Sequence, residues 1–312
     1  MDPDLIANIL YATIRTGTPL LLVALGELVC EKSGVLNLGQ EGMMLMGAVA
    51  GFIAAYHLGD SGIGIVSALV LAMAAGALMS LLFAFITLSL NANQVASGLA
   101  LTIFGLGLSS FVGLGYVGIA LNGIQPWELP LLSDLPLLGK VLFSHDPLVY
   151  FSLAMAALLA WFFRSTRAGL IVKAVGESPE SAQALGLPVL RVRYLAVLFG
   201  GAMTGLAGAY LSLVYTPLWA DHMSAGRGWI ALALVVFASW RVGRAVLGAY
   251  LFGLMSIMHL VLQGFEIAIS PNLLATLPYL VTIAVLVLLS SNQARSKLFA
   301  PLSLGKPFQP GH

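Results

Sequence analysis

The chain has 312 residues, 59% of them hydrophobic and 9% charged, with a mean hydropathy of +0.97. Soluble domains carry roughly a quarter charged residues, so this composition excludes a protein that faces water on every side and specifies an integral membrane protein. A formal net charge of +1 excludes a global field that recruits nucleic acid, and the single cysteine, Cys30, excludes an internal disulfide or a cysteine-rich metal site.

The N-terminus reads MDPDLIANIL, acidic and without a small-residue cleavage site after a short apolar core, so no removable signal peptide is expected. A helix needs about 20 apolar residues to cross the hydrocarbon core. Spans are predicted over 5–28, 41–58, 63–90, 95–116, 148–163, 194–214, 245–263 and 273–291. The first carries two isolated charges, Arg15 and Glu27, separated by about 18 Å along a helix and therefore unable to pair. Arg15 is expected to snorkel outward.

Between the first and second spans, Gly34, Gly39 and Gly42 surround Asn37, Gln40 and Glu41. Two readings stand for these three polar residues. They are partners for a hydroxyl-rich solute along a pathway, or they satisfy the freed backbone of a helix break, with Glu41 capping the next helix. Asn91, Asn93 and Gln94 mark a turn between the third and fourth spans. The interval 117–147, punctuated by prolines and carrying Trp127, reads as an external loop ordered on the membrane surface.

The interval 164–193 is polar and basic, and its centre reads AVGESPESAQALGLPVLRVRY (174–194). Ser178 can cap a helix that begins at Pro179, Glu180 suits its positive end, and Gly186 followed by Pro188 stops it. Helices shorter than about 12 residues are marginal in water, so this one needs a docking surface. Ala182 and Leu185, three apart and near Ala184 and Leu187, are expected to form an apolar knob for a partner's groove. The alternative is a segment resting on lipid headgroups.

The stretch 229–240 is about 18 Å long as a helix, too short to cross, and is read as a half-helix or re-entrant element. Trp219, Trp229 and Phe237, on or near it, could stack a nucleobase in passing; the alternative is that the two tryptophans anchor the membrane interface. The total is an all-α, polytopic bundle of about nine helical elements, eight to ten, in one domain over 1–312. Gly47 with Gly51, Gly201 with Gly205, and Gly105 with Gly113 let helix backbones approach within that bundle. With an external N-terminus, eleven cations fall on one side (Lys32, Arg164, Arg167, Lys173, Arg191, Arg193, Arg241, Arg244, Arg295, Lys297 and Lys306). Two, Lys140 and Arg227, fall on the other. The richer side is the cytoplasm.

Three stretches carry a resemblance. AVGESPESAQALGLPVLRVRYLAVLFGGAMTGLAGAYLSL (174–213) resembles the cytoplasmic loop and following helix of ABC-importer permeases of the branched-chain amino acid and simple-sugar class, with Ala174, Gly176, Ala182, Gly186, Gly201, Gly205 and Gly208 matching. GELVCEKSGVLNLGQEGMMLMGA (26–48) is similar to the nucleoside-type permeases of that class, and GRGWIALALVVFASWRVGRAVLGAYLFG (226–253) to the late half-helix.

The resemblance implies an ATPase-coupling helix built on Gly176, Glu177, Ser178, Pro179, Ala182, Leu185 and Gly186, and half of a pore in a bacterial cytoplasmic membrane. It implies an ATP-binding-cassette partner, a second permease (a heterodimer before a homodimer), and an external binding protein or lipoprotein that Lys140 and Arg227 would meet. Nucleosides are the expected cargo, simple sugars or branched-chain amino acids the alternative. The chain itself carries no GxxxxGK[ST] phosphate loop, because Gly305 and Lys306 are followed by proline, and no HExxH. It is therefore expected to be no enzyme, and to hold no cofactor or metal. A different class, an ion-coupled carrier using Glu41 and the half-helix, remains open.

Overall fold

In the computed structural model, residues 3–59, 61–127, 138–264 and 300–308 are described, with isolated positions between 270 and 287. The described residues are helical: α1 (Pro3–Lys32), α2 (Gln40–Leu58), α3 (Gly62–Ala84), α4 (Gln94–Gly113), α5 (Leu138–Phe143), α6 (Pro147–Ser165), α7 (Arg167–Glu177), α8 (Pro179–Ala184), α9 (Val189–Tyr210), α10 (Arg227–Phe237) and α11 (Val242–Gly264). Among them seven, α1, α2, α3, α4, α6, α9 and α11, are long and apolar enough to cross a membrane. The predicted span 273–291 and the cations Arg295 and Lys297 lie outside the described residues.

Burial sorts the spans into inner and outer. The most apolar stretch of α9 is 83% buried and that of α4 only 28%, so α9 is the axis and α4 lies at the periphery. Around α9 pack α1, α2 and α3; α11 leans on α1, and α4 on α2. Lipid tails are as apolar as leucine, so no hydrophobic force drives these helices together; close van der Waals contact does.

Small residues supply that contact. Gly47 and Gly76 lie directly on the backbone of Gly205, and Gly208 on that of Met44. A Cβ at Gly26 would sit 2.9 Å from the Gly200 carbonyl oxygen, and one at Gly105 would sit 2.6 Å from the Gly42 Cα. The glycines at 47, 201, 205 and 105 are thus internal packing positions, while Gly113 makes room for Trp219.

Arg15 is half-buried and reaches across to the end of α9. Its Nη2 donates to the Val214 carbonyl at 2.8 Å, an oxygen at the end of the π turn that finishes α9, where helix carbonyls lack internal partners. On the same side, the segment after α4 meets the segment after α9. The Leu121 amide donates to Pro217 at 2.9 Å and the Ile124 amide to Leu213 at 2.8 Å, and Trp219 beneath them is fully buried among Leu45, Val49 and Phe52. Asp146 caps α6 through the amides of Leu148 and Val149, and burial pushes its carboxyl above the usual range. His145 stacks on Tyr11 at 4.6 Å and donates from Nε2 to the Val141 carbonyl; burial pushes its imidazole down, toward the neutral form.

Gly47→Val should cost about 1–3 kcal/mol or more through overpacking, read as a lower thermal midpoint of the purified protein in detergent. Gly107→Ala, where a Cβ would meet nothing within 4 Å, should leave that midpoint unchanged or raise it.

Candidate functional site

α1 ends at Lys32, and residues 33–39 turn back into the bundle before α2 starts. The turn needs Gly34 at φ +87°, a conformation that side chains disfavour. Its polar groups are consumed internally. Glu27, fully buried, accepts from the Asn37 amide at 3.2 Å and from Gln40 Nε2. Asn37 Oδ1 takes the Gly39 amide at 2.9 Å, and Gln40 Oε1 lies 2.5 Å from the Thr204 hydroxyl on α9. On the far side, Gln94 accepts from the Leu36 amide at 2.8 Å, and the Thr102 hydroxyl donates to Leu38 at 3.0 Å. Asn93 caps α4.

Glu41 serves a distant helix rather than its own. It accepts from the Ser224 hydroxyl at 2.5 Å and from the Gly226 and Gly228 amides, each at 2.7 Å. These donors form the N-terminus of α10, where the helix dipole favours a negative charge. At the other end of α10, Trp240 Nε1 donates to Glu31 at 2.5 Å. Between that bond and α11 the chain turns through Ser239 (φ 49°) and Trp240 (φ 55°), both in the left-handed region. α10, about 16 Å long, is therefore the short element read at 229–240, held at both ends by acids from the α1–α2 hairpin.

The candidate pathway residues separate into two sets. Asn37, Gln40 and Glu41 are gathered at the hairpin and buried. Trp229 stands at the start of α10, 37% exposed, and Phe237 lies about 12 Å further along it, against Gly248 of α11.

At the basic end of the bundle, Ser178 Oγ caps α8 through the Ser181 amide at 3.3 Å, Pro179 is its first residue, and Gly186 at φ +79° ends it. The apolar knob is divided. Ala182 is pressed inward among Val175, Val189 and Phe308, whereas Leu185 is 79% exposed. Leu185 still bonds as the last turn of the helix, its amide donating to the Ser181 carbonyl at 3.2 Å; three residues on, it lies about 60° around the axis from Ala182, and only the Ala182 side is covered. Gly176, at the foot of α7, lies directly on the Lys32 carbonyl, and Lys32 interacts electrostatically with Lys173, Glu177 and Arg241. Of the two cations assigned to the other side, Lys140 is exposed, while Arg227 donates to the Met223 and Ser224 carbonyls at 3.2 Å and lies over the Tyr215 ring.

Glu31, Thr204, Ser224 and Trp240 were not legible as site residues, and neither was Arg193. Arg193 is fully buried, donating to the Ser33 carbonyl and to Ser303 Oγ, both at 3.1 Å. The one available signal was Glu27, an isolated acid in an apolar span.

The family model described as "Branched-chain amino acid transport system / permease component" matches residues 9–289. A protein of Haloferax volcanii, provisionally named a glucose ABC transporter permease, is 43% identical over 303 residues, covering 90% of this chain and 91% of that one. A guanosine ABC transporter permease of Bacillus subtilis is 34% identical over 299 residues (91% and 92%). A second guanosine permease of the same organism is 27% identical over 256 residues (76% and 72%).

Glu41→Ala would leave a hydroxyl and two amides without their acceptor, each unsatisfied buried donor costing about 1–3 kcal/mol. A marked fall in thermal midpoint is expected, with Glu41→Gln, which keeps one acceptor oxygen, falling less.

Proposed function

The chain belongs to the branched-chain amino acid transport system permease family, and on that premise we propose that it forms half of the pore of an ATP-driven nucleoside importer, with ATP hydrolysed on a separate subunit. The observation that carries the reading is α8. A six-residue helix does not hold itself together, yet this one is capped, and its Ala182 is seated in the body of the protein. Its remaining face, Glu180, Gln183, Ala184 and Leu185, is presented outward on a fixed support. That is the surface an ATPase groove would take.

Movement imposed there has a route inward. α8 is packed on α7, and α7 bears through Gly176 on the Lys32 carbonyl at the root of the α1–α2 hairpin. The hairpin holds α10 at both ends through Glu31 and Glu41. Rocking α8 would therefore shift the hairpin and α10 together, exchanging outward-open and inward-open packings. Asn37, Gln40 and Glu41, with Trp229 and Phe237 on α10, are the residues that such a shift would bring to the pathway.

A heterodimer is the favoured pore, because two distinct guanosine permeases of one organism both align with this chain. The side rich in Lys and Arg is the cytoplasm, which puts the N-terminus outside and the stretch after residue 300 inside. An external binding protein or lipoprotein would then meet Lys140 and Arg227. A sugar cargo is the second reading, favoured by the 43% identity to the Haloferax protein.

Leu185→Asp should abolish co-purification of the ATPase from membranes while leaving the permease folded; retention of the ATPase at the wild-type level would overturn the docking assignment. In cells carrying the whole transporter, excess guanosine should block uptake of labelled adenosine and excess glucose should not. The reverse pattern, glucose uptake blocked by other hexoses and indifferent to nucleosides, assigns the sugar reading.

A further inference from the structure

The segment 300–308 returns to the bundle at the junction of α8, α9 and the α1–α2 turn, packing on α8 and bonding to the neighbours around it. The Ser303 amide and hydroxyl both donate to the Gly176 carbonyl, at 3.0 and 2.6 Å. Arg193 of α9 donates to Ser303 Oγ while its Nε holds the Ser33 carbonyl. The Gly305 amide donates to the Gly34 carbonyl at 3.2 Å, and Gln94 of α4 reaches the Lys306 carbonyl at 3.5 Å. Beyond these, Phe308 plugs the space beside Ala182, Val175 and Val189, with the Arg193 guanidinium 5.6 Å from its ring centre. Phe308 also forms one wall of a cavity of about 260 Å³, whose other walls include Gln183 and Leu187.

No element of the bundle needs this segment to complete a helix, and Ser303 lies 110 residues from Arg193 and 127 from Gly176. Three parts already meet here, through Gly176 on the Lys32 carbonyl and through Arg193 on the Ser33 carbonyl; the segment adds a further set of bonds that ties the support of α8, the hairpin turn at 33–34 and the buried end of α9 to one another. A short helix resting on a small alanine could slide when pushed; one whose support is tied to the hairpin transmits the push.

We infer that residues 300–308 are a strap that positions the coupling helix, with Ser303, Phe308 and Arg193 as its positioning residues, so that displacement of α8 moves the α1–α2 hairpin rather than dissipating. The inference rests on the importer reading above. It assigns the strap a part in energy coupling, distinct from ATPase binding, which belongs to the outer face of α8.

The test uses the full transporter, both permeases, ATPase and binding protein, in proteoliposomes, and reads solute moved per ATP hydrolysed. The double variant Ser303→Ala/Phe308→Ala is expected to retain the ATPase and hydrolyse ATP, with the ratio falling by about fivefold or more, the low end of coupling between distant sites. Phe308→Leu, which keeps an apolar plug, should stay near the wild-type ratio. A wild-type ratio in the double variant overturns the strap. Should the double variant fail to assemble, hydrogen exchange of the amides at 182–189 in Ser303→Ala decides: faster exchange supports the strap, unchanged exchange overturns it. Leu185→Asp separates the two readings. If it leaves the ATPase bound, the docking assignment fails; if it releases the ATPase while the strap variants keep the wild-type ratio, the strap alone fails.

Discussion

Three carboxylates on the α1–α2 hairpin, Glu27, Glu31 and Glu41, are buried where water does not reach them. A buried carboxylate without partners carries a penalty of several kcal/mol, so each must find donors within the protein, and where those donors lie sets the rest of the architecture. Glu27 takes its donors from the hairpin itself and so fixes the helix break. Glu41 takes them from the start of α10, and Glu31 from the tryptophan beyond its end. A half-helix that lacks the length to cross a membrane is thereby placed at a defined depth and angle. Of the irregular backbone around it, Ser224, Ser239 and Trp240 are buried, while His222 and Ala225 ahead of the helix are exposed.

Glycine contacts do the complementary work. They bring α2, α3 and α9 to backbone contact at points where a Cβ would clash, so the glycines themselves limit the register. The polar pins reinforce it: Thr204 against Gln40, and the Ser212 hydroxyl against the Ala48 carbonyl at 2.8 Å. Interfaces packed in this way, with a few directional bonds, switch between discrete fits rather than deforming gradually.

What could be read from the sequence is what depends on near neighbours. The span limits followed from runs of apolar residues, the short α10 from a run that is too brief, and α8 from Ser178, Pro179 and Gly186, whose capping and stopping chemistry is local. What could not be read depends on partners far along the chain. Arg193 sits beside Arg191 and looks like another surface cation, yet its acceptors are 160 and 110 residues away. Trp219 has the composition of an interface anchor, but Gly113 opens a place for it inside. Ala182 and Leu185 share a face by helical spacing, but Val175, Val189 and Phe308 cover only the Ala182 side of it. Asn37, Gln40 and Glu41 stood out by composition, while the identity of their partners, Thr204 and Ser224, required the fold.

The separation between Glu41 and its donors, 183 to 187 residues, also bears on how the protein is made. A ribosome working at about 5–20 residues per second delivers α10 on the order of ten to forty seconds after the α1–α2 hairpin has emerged. Throughout that interval the nascent hairpin holds an acid whose eventual ligands have not been synthesised. Biogenesis must keep it in polar surroundings until the later half of the chain arrives.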